Sequence, residues 1–264
     1  MARPSDASAP TLSVVTPSYN SARFIEETLD SVAALSVPHE HIVIDGGSDD
    51  GTVEILESRG DDSLVWISEP DRGQTNAVNK GLERTRGELI AWINADDAYV
   101  PPAVDRTVRG LQKDPSIDAI FGFMDIVDEN GEFQRQYRCG RWSWRRYLYF
   151  GHYIPTVTVI FRRALLAHAP RLDERYADAA DYDFYLRLLR SAKVARTRRS
   201  LVRFRYHAAS KTASGLGVQV HESMDIRLRY ARNKPERQLM KAAARLVTAR
   251  NLISSPWPDV VAKG

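Results

Sequence analysis

The sequence predicts an α/β fold: a mostly parallel sheet of Rossmann type, flanked by helices, with a helical extension at its C-terminal end. Two patterns carry that reading. Short apolar, β-branched runs alternate with stretches of helical periodicity across the first hundred residues, the signature of crossover units. Each of the first four runs also ends abruptly in polar or acidic residues. In a parallel sheet those ends share one edge, which is where ligands bind in open α/β folds.

The elements follow in order. Residues 12–16 read as a first strand, ended by Pro17. Ser18, Tyr19, Asn20 and Ser21 suit a helix start, and Phe24, Ile25, Leu29 and Val32 recur at helical spacing. Residues 41–45 form a second strand that ends on Asp45, and the turn 46–52 leads into a helix from Val53. Residues 64–67 make a third strand, followed by the loop 68–74 and a helix over 76–84. The fourth strand, 89–93, is apolar on both faces, and Asn94, Asp96 and Asp97 follow within four residues. Adjacent carboxylates repel unless a cation or a proton relieves them. Oxygen ligands at such a strand end suit Mg²⁺ or Mn²⁺, held together with substrate phosphates.

Beyond Pro101-Pro102 a helix is expected to about Gln112. Residues 118–127 hold one or two strands, and 133–137 can pair back across the turn 128–132 as a hairpin. Residues 141–153 are dense in Trp, Tyr and Arg. Residues 156–161 are β-branched and read as a strand; a helix begins at Asp181, a strand covers much of 194–206, and one or two helices fill 218–252. The resulting division is a loose tail over 1–10, one domain over 11–214 with halves at 11–100 and 101–214, and the helical extension over 215–264.

The chain has 264 residues, 43% of them hydrophobic and 27% charged, enough for one large domain with an ordinary surface. The single cysteine, Cys139, excludes a disulfide within the chain. Residues 1–10 lack the apolar core of a signal peptide, and no run reaches the length of a membrane span. A soluble, cytoplasmic protein is expected, peripheral at most to the inner face of a membrane. Net charge is only +3, but between residues 187 and 250 the acids are limited to Glu222, Asp225 and Glu236 among many arginines. That basic part suits an anionic membrane surface, and its helices also offer a contact for a second copy of the chain. No nucleic-acid partner is expected.

Gly46 and Gly47 let a backbone approach a ligand closely, but 46–51 does not match the dinucleotide G-x-G-x-x-G pattern, and no phosphate-binding G-x-x-x-x-G-K-[ST] loop occurs. Five segments occur in an order that resembles family 2 glycosyltransferases. They are Val14-Val15-Thr16-Pro17-Ser18-Tyr19-Asn20, Ile44-Asp45-Gly46-Gly47-Ser48-Asp49-Asp50-Gly51-Thr52, Ser68-Glu69-Pro70-Asp71-Arg72-Gly73, Asn79-Lys80-Gly81 and Asn94-Ala95-Asp96-Asp97. The resemblance runs over about residues 12–210. It implies a GT-A-like fold and transfer of a sugar from a nucleotide-diphosphate donor, UDP-linked by expectation, with inversion and a divalent metal (Mn²⁺ or Mg²⁺). A glycan or lipid-linked acceptor is implied, in cell-envelope or exopolysaccharide synthesis.

Position by position, the resemblance implies that Thr16, Pro17 and Tyr19 cradle the base and Asp45 reads it. Gly46 stands where the family often has a second acid. Asp71 and Lys80 fall near ribose and diphosphate. Asn94, Ala95 and Asp96 occupy the D-x-D position, with Asn in the first place and Asp96 as the main metal ligand. Ala180-Asp181 resembles the family's E-D motif, which makes Asp181 the catalytic base; read without the resemblance, Asp181 and Asp183 equally suit a helix start. His207 matches a late histidine that reaches the metal or diphosphate. The Q-x-x-R-W pattern of processive synthases is absent, which favours single-sugar transfer. Trp142, His152 and Tyr153 lie where an acceptor subsite is expected, since aromatic faces stack on sugar rings; packing against a helix is the alternative. Two other functions share strand-end acids: a sugar-phosphate nucleotidyltransferase, disfavoured by the lack of a Gly-rich basic loop after the first strand, and a non-catalytic nucleotide-sugar-binding protein.

Overall fold

Pro17 does not end the first strand. In the computed structural model, which describes residues 10–151, 153–207, 210 and 216–253, strand β1 runs over Leu12–Ser18. It lies parallel between β2 (His39–Asp45) and β4 (Leu89–Trp92). The ladder to β4 closes where Ile93 N–H donates to the carbonyl of Val15 at 3.0 Å. Alternate residues of a central strand bond to alternate sides, so Pro17 faces the β4 side just past the end of that ladder. No N–H is needed there, and the proline costs nothing.

β3 (Leu64–Ser68) adds to the far side of β2, also parallel. The register sets Ser18 beside Asp45 and Asp45 beside Ser68. The crossover helices are α1 (Ile25–Ala33), α2 (Thr52–Ser58) and α3 (Gln74–Leu82). The α3 helix lies directly on β1. A Cβ on Gly81 would come within 2.4 Å of the Val15 side chain, so only glycine allows this approach.

The second half mixes directions. A two-residue strand β5 (Ala98–Tyr99) precedes α4 (Pro101–Lys113), and β6 (Ala119–Val127) forms the expected hairpin with β7 (Phe133–Tyr137). Helix α5 is Trp144–Phe150. Residues 156–161 do not form one strand. Thr156–Thr158 is a 3-10 turn, and β8 is Ile160–Arg162. Thr158 Oγ1 donates to the carbonyl of Pro155 at 2.8 Å, a local bond that competes with extended backbone despite the β-branched composition. After a second 3-10 segment at Arg163–Ala167 come α6 (Ala180–Leu188), β9 (Val194–Arg205), α7 (Leu216–Arg229) and α8 (Lys234–Ile253). The nine-stranded sheet has the order β3-β2-β1-β4-β8-β6-β9-β5, with β7 on β6. Its β4–β8 and β8–β6 pairs are antiparallel, whereas β9 runs parallel to β6. One apolar layer, including Val15, Trp92, Phe121, Phe161 and Phe184, joins the sheet to α3, α5 and α6; another, including Leu12, Leu89, Val104 and Val108, joins it to α4.

No helix of the described residues is long and apolar enough to cross a membrane.

Candidate active site

The carboxyl ends of β1, β2, β3 and β4 meet the end of β9 on one edge of the sheet. Asp45 is fully buried there. Its Oδ2 accepts N–H groups from Gly47 (3.1 Å) and Ser48 (2.9 Å) and the hydroxyl of Ser68 (2.7 Å). Its Oδ1 accepts the Ser48 hydroxyl at 2.5 Å. The carboxylate therefore shapes the turn 46–48 from below. Asp71 closes the turn from above: a Cβ on Gly46 would sit 3.0 Å from Asp71 Oδ2. The space for a second acid at position 46 is taken by the Asp71 carboxylate, arriving from the loop after β3.

Thr16 is buried, with its hydroxyl 2.9 Å from His41 Nε2. Burial lowers the His41 pKa to about 3, helped by the nearby charge of His39 and opposed by Asp61. The imidazole is neutral at ordinary pH. Pro17 is buried at the strand end, while Tyr19 is 65% exposed at the mouth of this edge. Lys80 pairs with Glu69 at 2.7 Å, on the loop that carries Asp71.

The β4 end is the most densely bonded corner. Asn94 Oδ1 accepts from Gln74 Nε2 (3.0 Å) and Trp92 Nε1 (3.2 Å), and Asn94 Nδ2 donates to Asp97 Oδ2 (3.0 Å). Asp97 is 1% exposed, and its Oδ1 accepts the backbone N–H of Arg205 at 2.9 Å. Burial first, and the neighbouring Asp96 second, raise its pKa well above the usual carboxylate range. Ala95 packs inward among Ile25, Leu29, Val43 and Leu56. That leaves Asp96, half-buried, turned to the cleft. Its Oδ2 stands 3.1 Å from Nε2 of His207, 111 residues away in sequence.

Arg205 builds the corner that holds this pair. Its guanidinium donates to the carbonyls of Asp96 (3.2 Å), Asp128 (3.2 Å) and Glu129 (3.0 Å) and pairs with Glu27. Phe24 lies between, with its ring 4.9 Å from the Arg205 guanidinium and 4.8 Å from the His207 ring. Arg205 opens the segment that resembles the late histidine motif, but its task, like that of Phe24, becomes visible only when β9 is seen to end beside the residues that follow β4.

Asp181 sits in the first turn of α6, half-buried, and accepts the Tyr182 N–H at 2.7 Å. Its charge acts on Tyr147 and Tyr185, whose pKa values rise mainly through burial. The approach to this turn is stapled to helix α3. Asn79 Nδ2 donates to the Leu172 carbonyl (3.1 Å), Asn79 Oδ1 accepts the Leu172 N–H (2.7 Å), and Asn76 and Asn79 both donate to Glu174. Asp183 pairs with Arg187 along the helix at 2.7 Å.

The aromatic segment is largely engaged in packing. Trp142 and Tyr153 flank the buried Tyr147 at centroid distances of 5.4 and 5.8 Å, and the Tyr153 hydroxyl accepts the Ser143 N–H. His152 lies outside the described residues. A cavity of about 410 Å³ between α5 and the C-terminal helices is lined by Trp144, Tyr149 and Tyr230 among others, and none of the strand-end residues reaches it.

A metal ion is tested by the donor set. Asp96 offers a carboxylate oxygen, the ligand type that suits Mn²⁺ or Mg²⁺ completed by phosphate oxygens and water, and His207 sets an imidazole nitrogen beside it, a donor that a transition metal such as Mn²⁺ takes more readily than Mg²⁺. Among the described residues there is no group of three or more His, Cys, Asp or Glu side chains placed to hold a metal ion.

Residues 13–168 match Glycosyl transferase family 2. An uncharacterized glycosyltransferase of Mycobacterium tuberculosis is 32% identical over 183 residues, 68% of this chain and 69% of that one. Another, of Rickettsia prowazekii, is 25% identical over 226 residues, covering 83% and 70%. In fold, the chain is similar to S. aureus TarS 1-349 in complex with UDP-GlcNAc, with a TM-score of 0.69 at 19% identity over 94% of this chain and 74% of that one. It is also similar to the mannosyltransferase PcManGT from Pyrobaculum calidifontis in complex with GDP-Man and Mn²⁺, with a TM-score of 0.60 at 18% identity, covering 96% and 78%. The fold is thus GT-A-like, and with the family match spanning more than half its length, this chain belongs to glycosyltransferase family 2.

Proposed function

We propose that this glycosyltransferase moves one sugar from a nucleoside diphosphate sugar, UDP-linked in the first instance, to an acceptor hydroxyl with inversion at the anomeric carbon. The observation that carries the reading is the Asp96–His207 pair, 3.1 Å apart at the edge where four strand ends converge. TarS, similar in fold, is seen with UDP-GlcNAc, and PcManGT with Mn²⁺, which supports the same chemistry here.

In this reading Tyr19 lies against the base, and the turn 46–48, fixed by Asp45, presents its backbone to it. Asp71 and Lys80 border the ribose and diphosphate. Asp96 and His207 hold the divalent ion, with Asn94 orienting the corner behind them. When bound, that ion supplies positive charge against the diphosphate leaving group. Asp181 accepts the proton of the acceptor hydroxyl as it attacks, which is the general-base role an inverting transfer needs. Trp142 and Tyr153 belong to the acceptor wall through their packing on Tyr147. The acceptor is a glycan or a lipid-linked sugar of the cell envelope or an exopolysaccharide. The arginine-rich C-terminal helices suit contact with an anionic membrane surface or a second copy of the chain.

Thermal shift with a panel of nucleotide sugars, with and without Mn²⁺, tests the donor side, because a ligand that binds only the folded state raises its melting temperature. A UDP-sugar is expected to raise it more with Mn²⁺ than without; no shift with any member of the panel sinks the reading. For the base, Asp181→Asn should cut turnover by about three orders of magnitude or more while leaving donor affinity within about twofold. Equal loss of both would show that Asp181 binds donor rather than activates acceptor.

A further inference from the structure

Helix α6 begins without a cap of its own. Its N-cap residue is Ala179, which has no side chain to satisfy the orphan N–H groups of a first turn. Within that turn Asp181 Oδ1 accepts the Tyr182 N–H, and the chain leading into the helix, up to the N-cap amide, is held by another element. Glu222, on α7, accepts the backbone N–H of Ala177 through Oε1 (2.9 Å) and those of Asp178 and Ala179 through Oε2 (2.8 Å each). A carboxylate that takes three backbone N–H groups is a strong, directional anchor. The rest of α7 grips the same stretch. Asp225 accepts the Tyr176 hydroxyl (2.8 Å), Gln219 donates to the Asp178 carbonyl (3.4 Å), and the Arg229 guanidinium lies 4.8 Å from the Tyr176 ring. On the other flank, Arg227 Nε donates to the Tyr182 hydroxyl (3.2 Å). The residues held in this way, 176–179 and 182, bracket Asp181.

We propose that Glu222 is a positioning residue for sugar transfer: by holding the amides of residues 177–179 it fixes the first turn of α6, and with it the Asp181 carboxylate, against the acceptor hydroxyl. The inference rests on the reading of Asp181 as the base. It makes the C-terminal extension part of the catalytic machinery by way of Asp181. It also assigns α7 a task that neither its composition nor any motif announces.

The test uses the full chain, with release of nucleotide from UDP-GlcNAc and from GDP-mannose, water serving as acceptor. Displacing a reacting group by an ångström costs on the order of 100-fold, so Glu222→Ala should lower kcat by about that factor. KM for the donor and the Kd for UDP should stay within about twofold, because the donor corner is built by other residues. Hydrogen exchange at the amides of 177–179 should accelerate. Glu222→Gln keeps one acceptor oxygen for Asp178 and Ala179 and should recover kcat to within about tenfold of the parent. A Glu222→Ala protein with lowered melting temperature but unchanged kcat has lost only stability, and the proposal fails. If Glu222→Ala does not fold, Glu222→Gln decides alone: lowered kcat at constant KM supports the role, and unchanged kcat overturns it. Asp181→Asn is measured alongside. Activity lost there but kept in both Glu222 variants overturns the positioning role and leaves the base intact. Activity kept in Asp181→Asn, or a parent protein that hydrolyses neither donor, removes both.

Discussion

Asn94 donates its amide to the buried carboxylate of Asp97 at 3.0 Å, and this bond explains why the first place of the D-x-D position is not an acid here. An aspartate at 94 would remove the donor and set a third carboxylate against Asp96 and Asp97. Asn94→Asp should therefore destabilise the protein by about 1–3 kcal/mol, lowering its melting temperature by roughly 2–4 °C per kcal/mol. The new acid would have a raised pKa in the folded state, so the penalty is present at neutral pH and shrinks as pH falls. Thermal denaturation at pH 7.5 and pH 5 measures it; equal melting temperatures for parent and variant at pH 7.5 refute this account of the asparagine.

The Asp96–His207 pair predicts shared dependence on metal. Asp96→Ala and His207→Ala should each weaken Mn²⁺-dependent UDP binding by about tenfold or more, or about 1.4 kcal/mol. Because both act on one ion, the double variant should lose less than the sum of the two. Calorimetric titration of UDP with Mn²⁺ and with chelator reads this directly. Additive losses, or losses that persist in chelator, argue against a common ion.

Gly46 lies under the Asp71 carboxylate, where an added Cβ would stand only 3.0 Å from Oδ2. Gly46→Ala should push Asp71 aside by a few tenths of an ångström and weaken nucleotide binding severalfold, with little change in kcat at saturating donor. Gly46→Asp should do more, since it adds like charge at contact distance. Donor KM for the two variants ranks the effects, and a lower KM in Gly46→Asp would assign the second acid a favourable role after all.

His41 predicts an acid-sensitive core. Its folded pKa of about 3 lies below an unfolded value near 6.5. The unfolded chain therefore takes up the proton first as pH falls. The stability that the neutral ring contributes is fully present above about pH 6.5 and is lost between there and pH 3, by up to about 1.4 kcal/mol per pH unit. His41→Gln keeps a partner for Thr16 without a titrating group and should flatten that part of the curve in urea denaturation. An unchanged slope would mean that another group carries it.

Much of the sheet was legible because its apolar runs are regular. Residues 12–92 announce four parallel strands and their crossovers, and Asp45, Asp71 and Asp96 stand where those strands end. The reading fails where local bonds outweigh composition. Thr158 turns a β-branched run into a 3-10 turn, and Pro17 sits inside a strand because the adjacent ladder has already closed. Strand β5, at two residues, is too short to leave a pattern. The roles of Arg205, Phe24 and Glu222 were not legible for another reason. Each acts across more than forty residues of sequence, on partners that only the folded chain brings near. The family resemblance already set His207 with Asp96 at the metal, and the structure gives the pair its distance, 3.1 Å.

Arg205 is tied at its backbone to Asp97 and through its guanidinium to three carbonyls and Glu27, and His207 follows just two residues later. Two residues of extended chain span about 7 Å. Such a tether keeps the His207 backbone close to the Arg205 corner, where its ring lies against Phe24 and 3.1 Å from Asp96. A ligand bound at this corner would therefore meet side chains already arranged by Arg205 and Phe24, and less of its binding energy would go into ordering them.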